Sequence, residues 1–284
     1  MNWKNLLIKK AIVGRIPFAD GLRKIKRVLF GYPPNAGNMK LAIKNFERFK
    51  AAIEKAGVSI EGATILEIGS GWFPTLPILF LRAGAKKIVM TDLNLHMDNI
   101  TFHETVAFLK KQFPEDNYIQ NIGELSTLPI DYLAPFTISA IADGSLDIIS
   151  SNNVLEHIPK NDLYRLFSAL RPKLSKSGIM VHLIDHSDHF EHHDKSISKI
   201  QFLTWSEEKH ALINYLIKDG ENRMRHHEYH QIFSDAGFDM IDEQADIDEK
   251  TFNDASKLDL TYPYSKMSAE QLAVLTSIYT LKPS

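Results

Sequence analysis

Two stretches of this sequence concentrate side chains able to do chemistry. The first is Glu67-Ile68-Gly69-Ser70-Gly71, which closes a short apolar run. Asp92 closes the next such run, Ile88-Val89-Met90-Thr91. Two glycines one residue apart let the backbone turn sharply and come close to a ligand. The helix start expected after them offers free N–H groups and the positive end of a dipole. An acid at the end of a second strand can take both hydroxyls of an adenosine ribose. Two such elements, each at a strand end, predict a nucleoside-type site. A dinucleotide fingerprint would need a third glycine three residues after Gly71. Position 74 is Pro, which favours a ligand without a pyrophosphate.

The second stretch is His182-Leu183-Ile184-Asp185-His186-Ser187-Asp188-His189-Phe190-Glu191-His192-His193-Asp194, which holds five of the twelve histidines. A neutral imidazole oriented by a carboxylate suits removal of a hydroxyl proton near pH 7. Asp185, His186 and His189 are the expected catalytic group, with no metal assigned. The same composition also fits a solvated loop, a divalent-cation site or a hydrogen-bonded lid. Further on, Trp205 with Arg223 and Arg225 offers an aromatic wall and cationic donors for a sugar or phosphate. A core tryptophan with arginines paired to the acidic tail fits as well.

These residues need a frame. Apolar strands are expected at 63–68, 87–91, 117–121, 146–150, 178–184, 238–242 and 275–281. Helices are expected at about 39–56, 74–83, 96–112, 161–174, 206–217 and 227–236. Strand and helix alternate, and the strands are nearly continuous in apolar character. That predicts an α/β fold, a doubly wound, mostly parallel seven-stranded sheet, with an N-terminal helical extension. Gly31 to Asn38 reads as a linker. Residues 1–58 are expected to form a basic helical extension or cap. Residues 59–284 form the ligand-binding domain, with a substrate-side insertion at about 186–228.

The bulk composition is that of a soluble globular protein: 284 residues, 44% hydrophobic and 24% charged, with net charge -2. The absence of cysteine excludes disulfides and thiolate chemistry. Apolar runs are too short for a membrane span or a signal-peptide core, so a cytoplasmic protein is expected. Charge is uneven. Residues 1–30 carry eight Lys and Arg against the single acid Asp20, whereas 235–259 is acidic. The basic head suits either a solvated face or a peripheral membrane contact.

Beyond these physical readings, Glu67-x-Gly69-x-Gly71 resembles the signature of class I S-adenosylmethionine-dependent methyltransferases. Asp147-Ile148-Ile149-Ser150-Ser151-Asn152-Asn153-Val154-Leu155-Glu156-His157-Ile158 resembles the V-L-E-H segment of one large branch of that family. Gly123-Glu124-Leu125-Ser126-Thr127-Leu128-Pro129 resembles the segment that faces the adenine. The resemblance covers 60–184 well and 225–284 loosely, through Ala236-Gly237-Phe238. It departs at Phe73, where a third glycine is frequent, and by an insertion between Pro129 and Asp143.

The resemblance implies S-adenosyl-L-methionine as cofactor and a small-molecule acceptor. Gly69, Ser70 and Gly71 would lie against the methionine part, and Glu67 would help hold its amino group. Asp92 would take the ribose, Leu93 would flank the adenine and Glu124 would meet its amino group. Asn152 or Asn153 would stand near the sulfonium. Glu156 and His157 would brace the loop and cap the next helix. The expected activity is O-methylation of a saccharide or another hydroxyl-bearing metabolite. N- or C-methylation, or a silent cofactor-binding subunit, are the alternatives. Ser151-Asn152-Asn153-Val154 lacks the Asn/Asp-Pro-Pro-aromatic pattern of base methyltransferases, so no nucleic-acid substrate is expected.

Overall fold

A computed structural model describes residues 2–13, 36–217 and 221–284. Seven strands form one sheet: β1 (Thr64–Ile68), β2 (Lys87–Thr91), β3 (Ile130–Leu133), β4 (Leu146–Asn152), β5 (Leu174–Asp185), β6 (Phe238–Ile247) and β7 (Val274–Pro283). Their order is β3-β2-β1-β4-β5-β7-β6. β1 to β5 are parallel, and β7 runs antiparallel between β5 and β6. The winding reverses between β1 and β4, so the crevice for a ligand opens beyond the carboxyl ends of those two strands.

The central strands are apolar because both faces are covered. On one face pack three helices through Phe46, Phe49 and Ile53 from Ala36–Lys55, Leu79 and Phe80 from Thr75–Arg82, and Phe102 and Leu109 from Asn99–Gln112. On the other face lie Leu163 and Phe167 from Lys160–Leu170, and Tyr229 and Phe233 from His226–Asp235. Local sequence sets the ends of these helices. Gly57, at φ +74°, follows the helix Ala36–Lys55. Asp98 accepts the Thr101 amide at 3.0 Å to start Asn99–Gln112.

Two expectations are corrected. The third strand is not at 117–121, where Asn117–Gln120 is a single helical turn capped by Asp116, which accepts the Ile119 amide at 2.9 Å. It is Ile130–Leu133, inside what reads as an insertion, and it pairs with β2 from Ile88↔Ile130 to Thr91↔Leu133. The helix Ala36–Lys55 is part of the main body, with Phe49, Ala52 and Ile53 fully buried, because its apolar stripe has the sheet to cover. Residues 36–38, expected in the linker, are its first turn. Residues 31–35 of that linker, and 14–30 of the basic head, lie outside the described residues.

Beyond β5 the chain builds a third, smaller core from Phe190, Ile200, Phe202, Leu203, Trp205 and Ile213. The N-terminal helix Trp3–Val13 packs on it. Trp3 stacks on Trp205 with ring centroids 5.5 Å apart, and its amide donates to Asp194 at 2.8 Å. Among the described residues, no helix is long and apolar enough to cross a membrane.

Candidate active site

A cavity of about 710 Å³ opens where β1, β2 and β4 end. Its walls include Gly69, Gly71 and Trp72 after β1, Asp92, Leu93 and His96 after β2, Phe136 after β3, and Asn153, Val154 and His157 after β4. The glycine turn has to be glycine at its first position. Gly69 sits at φ +68°, and a Cβ there would stand 2.6 and 2.7 Å from the Val154 methyls. Gly71 sits at φ +65° with open space where its Cβ would be, so the backbone there is bare for a ligand to lie against.

Asp92 ties the two strand ends together. One carboxylate oxygen accepts the Gly71 amide at 3.0 Å, and the other lies 3.6 Å from Nε2 of His96. His96 in turn faces the Trp72 ring, with centroids 4.9 Å apart. Glu67 is buried beneath the turn, and one of its oxygens has no hydrogen-bond partner. Burial pushes its carboxyl up to about 7; a bond with Ser70 works against that shift, and the charge of Asp92 adds to it. An acid in that state is suited to a cationic ligand group, which would hold it ionised. Asn153 is the only non-glycine residue with positive φ among the described residues, at +55°, and its buried Oδ1 also has no partner. These orphaned acceptors and the bare glycine turn fit the amino-acid and ribose parts of S-adenosylmethionine.

Of the other expected cofactor residues, Leu93 is on the cavity wall, whereas Ser70, Asn152 and Glu124 are not. Ser70 faces inward, its hydroxyl accepting the Thr91 amide at 3.2 Å. Asn152 turns from the cavity to accept from Asn45 at 2.8 Å, so it anchors the helix Ala36–Lys55 to β4. Leu93 is on the wall and 80% exposed. Glu124 precedes β3 instead of following it. Its side chain is exposed beside His103 at 3.5 Å and is not on the cavity wall. The residue that does leave β3 into the cavity is Phe136, whose amide donates to the Asp92 carbonyl at 2.9 Å.

The histidine stretch divides by depth. His182 is fully buried against Ser151 at 2.8 Å, and burial pushes it down to about 3. His186 is also buried. Its ring lies 3.3 Å from the Met224 carbonyl and 3.2 Å from the Ser277 hydroxyl, and burial holds it well below the ordinary imidazole range. It therefore faces the core and not the cavity, which corrects its expected catalytic place. Asp185 is spent on its own turn, accepting the Ser187 amide at 2.8 Å and hydroxyl at 2.6 Å; it does not orient His186. His192 and His193 are exposed.

Of the expected group, only His189 stands beside a residue of the cavity wall, His157. Its ring lies 5.0 Å from that of His157, and its amide donates to Glu221 at 3.3 Å. The Glu156 carboxylate and the ring nitrogens of His157 and His189 each offer a donor atom within 4.8 Å of the others. His157 was expected to brace the loop; it lines the cavity instead. Its signal in the sequence is its position, five residues past the end of β4 on the V-L-E-H segment.

The expected substrate-binding trio is corrected as well. Arg225 is fully buried, and its guanidinium donates to the carbonyls of His186 at 2.6 Å, Leu272 at 2.9 Å and Val274 at 2.7 Å. Arg223 donates to the Trp205 carbonyl at 2.6 Å and pairs with Glu207. Trp205 is in the third core. All three hold the region after β5 together: the terminal guanidinium nitrogens of both arginines are spent on carbonyls and on Glu207, and only the buried Nε of Arg225 has no partner.

The sequence matches the family model of the methyltransferase domain over residues 41–243. A search of curated proteins found no match. Among solved structures, the chain is similar to an S-adenosylmethionine-dependent methyltransferase from Mesorhizobium loti. The two are 13% identical with a TM-score of 0.44, over 78% of this chain and 92% of that one. It is also similar to the magnesium protoporphyrin IX methyltransferase of Synechocystis PCC 6803 with bound SAH, at 12% identity and a TM-score of 0.49, over 97% and 100%. The family match spans both the glycine turn with its acidic partner and the exit of β4, and on that ground the chain belongs to the methyltransferase-domain family, as an S-adenosylmethionine-dependent enzyme.

Proposed function

We propose that the protein methylates a hydroxyl of a small polar acceptor, of the saccharide or polyol kind, at the rim formed by Asn153, His157 and His189. The observation that carries this reading is the imidazole pair, centroids 5.0 Å apart, formed by His157 on the cavity wall and His189 of the loop after β5. The bound cofactor supplies a methyl group on a sulfonium sulfur, which leaves as a thioether when the methyl is taken.

Everything else falls to the chain. The cavity volume is within the ~300–1,000 Å³ usual for small-molecule sites, and its apolar walls at Trp72, Phe136, Val154 and Leu166 exclude water from the reacting atoms. Asp92 and the glycine turn fix the cofactor from one side, so the acceptor has to approach from the His157 side in line with the methyl. A hydroxyl must also lose its proton, and His157 and His189 are the groups at that rim suited to activating it.

The test is transfer of labelled methyl from the cofactor to a panel of sugars, polyols, phenols and amines. A methyl ether, with turnover lowered roughly a hundredfold or more in His189→Ala and cofactor affinity unchanged, is the expected outcome. Label appearing on nitrogen or carbon, or a His189→Ala protein with full turnover, would overturn it.

A further inference from the structure

We infer that Glu156, His157 and His189 form a binding site for a divalent transition-metal cation at the acceptor end of the cavity. The inference rests on the hydroxyl-acceptor reading above for its purpose, though not for its geometry. One carboxylate and two imidazoles, each presenting a donor atom within 4.8 Å of the other two, can converge on a single ion. That donor set suits borderline ions such as Zn²⁺, Co²⁺ or Fe²⁺, and three protein ligands leave positions open for a substrate.

The setting is built and rigid. Glu156 and His157 share the short turn Leu155–His157. Asn222 clamps that turn from below, its side-chain amide donating to the carbonyls of Leu155 at 3.0 Å and Ile158 at 2.9 Å. The Asn222 side-chain oxygen is held in turn by the Met224 amide at 3.0 Å and the Tyr229 hydroxyl at 3.3 Å. The third ligand comes from a different element, the loop after β5, and the carboxylate of Glu221 holds it through the His189 amide. Glu221 also places its carboxylate 4.0 Å from Nε2 of His189, beside the ring and beyond direct hydrogen-bond distance. His157 lines the cavity, so an ion here would border the space where the acceptor lies.

The chemistry follows from that position. With their lone pairs on the cation, the two imidazoles activate the acceptor through the metal and not as free bases: a hydroxyl bound to the cation becomes more acidic, as bound water does. Its O–H bond breaks with the proton passing to solvent. The oxygen's lone pair then forms the bond to the methyl carbon, while the electrons of the sulfur–carbon bond remain on sulfur. A vicinal diol or a hydroxy-carbonyl group, able to occupy two open positions at once, is the acceptor class this arrangement would prefer.

The experiment is a titration of chelator-treated, full-length protein with Co²⁺ alone, read by its visible absorption, with S-adenosylhomocysteine binding measured on every sample. The expected result is one Co²⁺ per chain, with affinity weakened at least about a hundredfold in His157→Ala and His189→Ala. Loss of a mere outer partner costs about 10–100-fold. His230→Ala removes an imidazole that faces Glu243 at 3.1 Å and is not one of the three proposed ligands, and it should leave Co²⁺ binding unchanged. S-adenosylhomocysteine should bind all variants alike. If the turn variant His157→Ala does not fold, His189→Ala on its loop carries the test. Wild-type protein that binds S-adenosylhomocysteine but no Co²⁺, or His189→Ala that binds Co²⁺ as the wild type does, overturns the metal site and leaves the methyl-transfer reading standing. Co²⁺ bound as expected while label appears only on nitrogen or carbon would instead sink the hydroxyl reading and keep the site.

Discussion

At the scale of single residues, the chemistry is set by how deeply each group lies. Glu67 has its carboxyl pushed up to about 7 by burial beneath the glycine turn. A raised acid pKa means the folded, ligand-free protein holds a proton that the unfolded chain would have released above 4.5. Stability from this group is therefore full below 4.5 and falls as pH rises through 7. An ammonium group placed beside Glu67 reverses the preference and expels that proton. Affinity for S-adenosylhomocysteine should thus rise with pH below 7, by up to about tenfold per unit, and level off above it. Calorimetry in buffers of different ionisation enthalpy should read close to one proton released per ligand at pH 6, and none in Glu67→Gln. Wild-type affinity that does not vary between pH 6 and 8 would remove Glu67 from the site. The same dependence on depth explains why sequence did not separate His186 from His189. Both follow an acid in one polar run, and what buries the first is Met224 and Ser277, 38 and 91 residues away in sequence.

At the scale of elements, the strand ends and the turn that joins them decide whether a cofactor fits. Gly69→Ala must place a methyl within 2.6 Å of Val154 and hold it at positive φ. A stability loss of about 1–3 kcal/mol from backbone strain alone is expected, with the overlap adding to it, and cofactor binding should be lost as the turn shifts. Gly71→Ala meets no protein atom, so it should cost only about 1–2 kcal/mol of left-handed strain while still blocking the cofactor. Thermal melting and calorimetry on both variants check the contrast. The sequence made β1, β2, β4 and β5 legible because they are buried on both faces and read as apolar runs. It hid β3, a four-residue strand in which Asp131 is exposed and the other residues are only half buried, bounded by Pro129 and Pro135. The apolar residues of Asn117–Gln120 looked like a strand because the Asp116 cap that makes them a helical turn is a local detail. Glu124 was misplaced by the same error, since its expected role depended on following the third strand.

At the scale of the whole molecule, the region after β5 has its own small core, on which the N-terminal helix packs through Trp3. Arg225 fastens this region to the exit of β5, to the helical turn before β7 and to the first residue of β7 by bonds to the carbonyls of His186, Leu272 and Val274. Arg225→Met should leave those carbonyls unsatisfied and cost about 3 kcal/mol or more, lowering the melting temperature by roughly 5–10 °C. A variant that melts like the wild type would mean the arginine is not a structural tie. Cationic and aromatic residues after the fifth strand read equally well as ligand donors in the sequence, and only the long-range fold shows their bonds already made. Isothermal titration of S-adenosylhomocysteine into wild-type protein and Asp92→Ala is the direct test of the cofactor site. One site per chain is predicted for the wild type, with affinity about 10–100-fold lower in the variant, since charge-assisted bonds of ~1.5–3 kcal/mol are removed. Wild-type protein that gives no binding, or an Asp92→Ala protein that binds as tightly as the wild type, would contradict it.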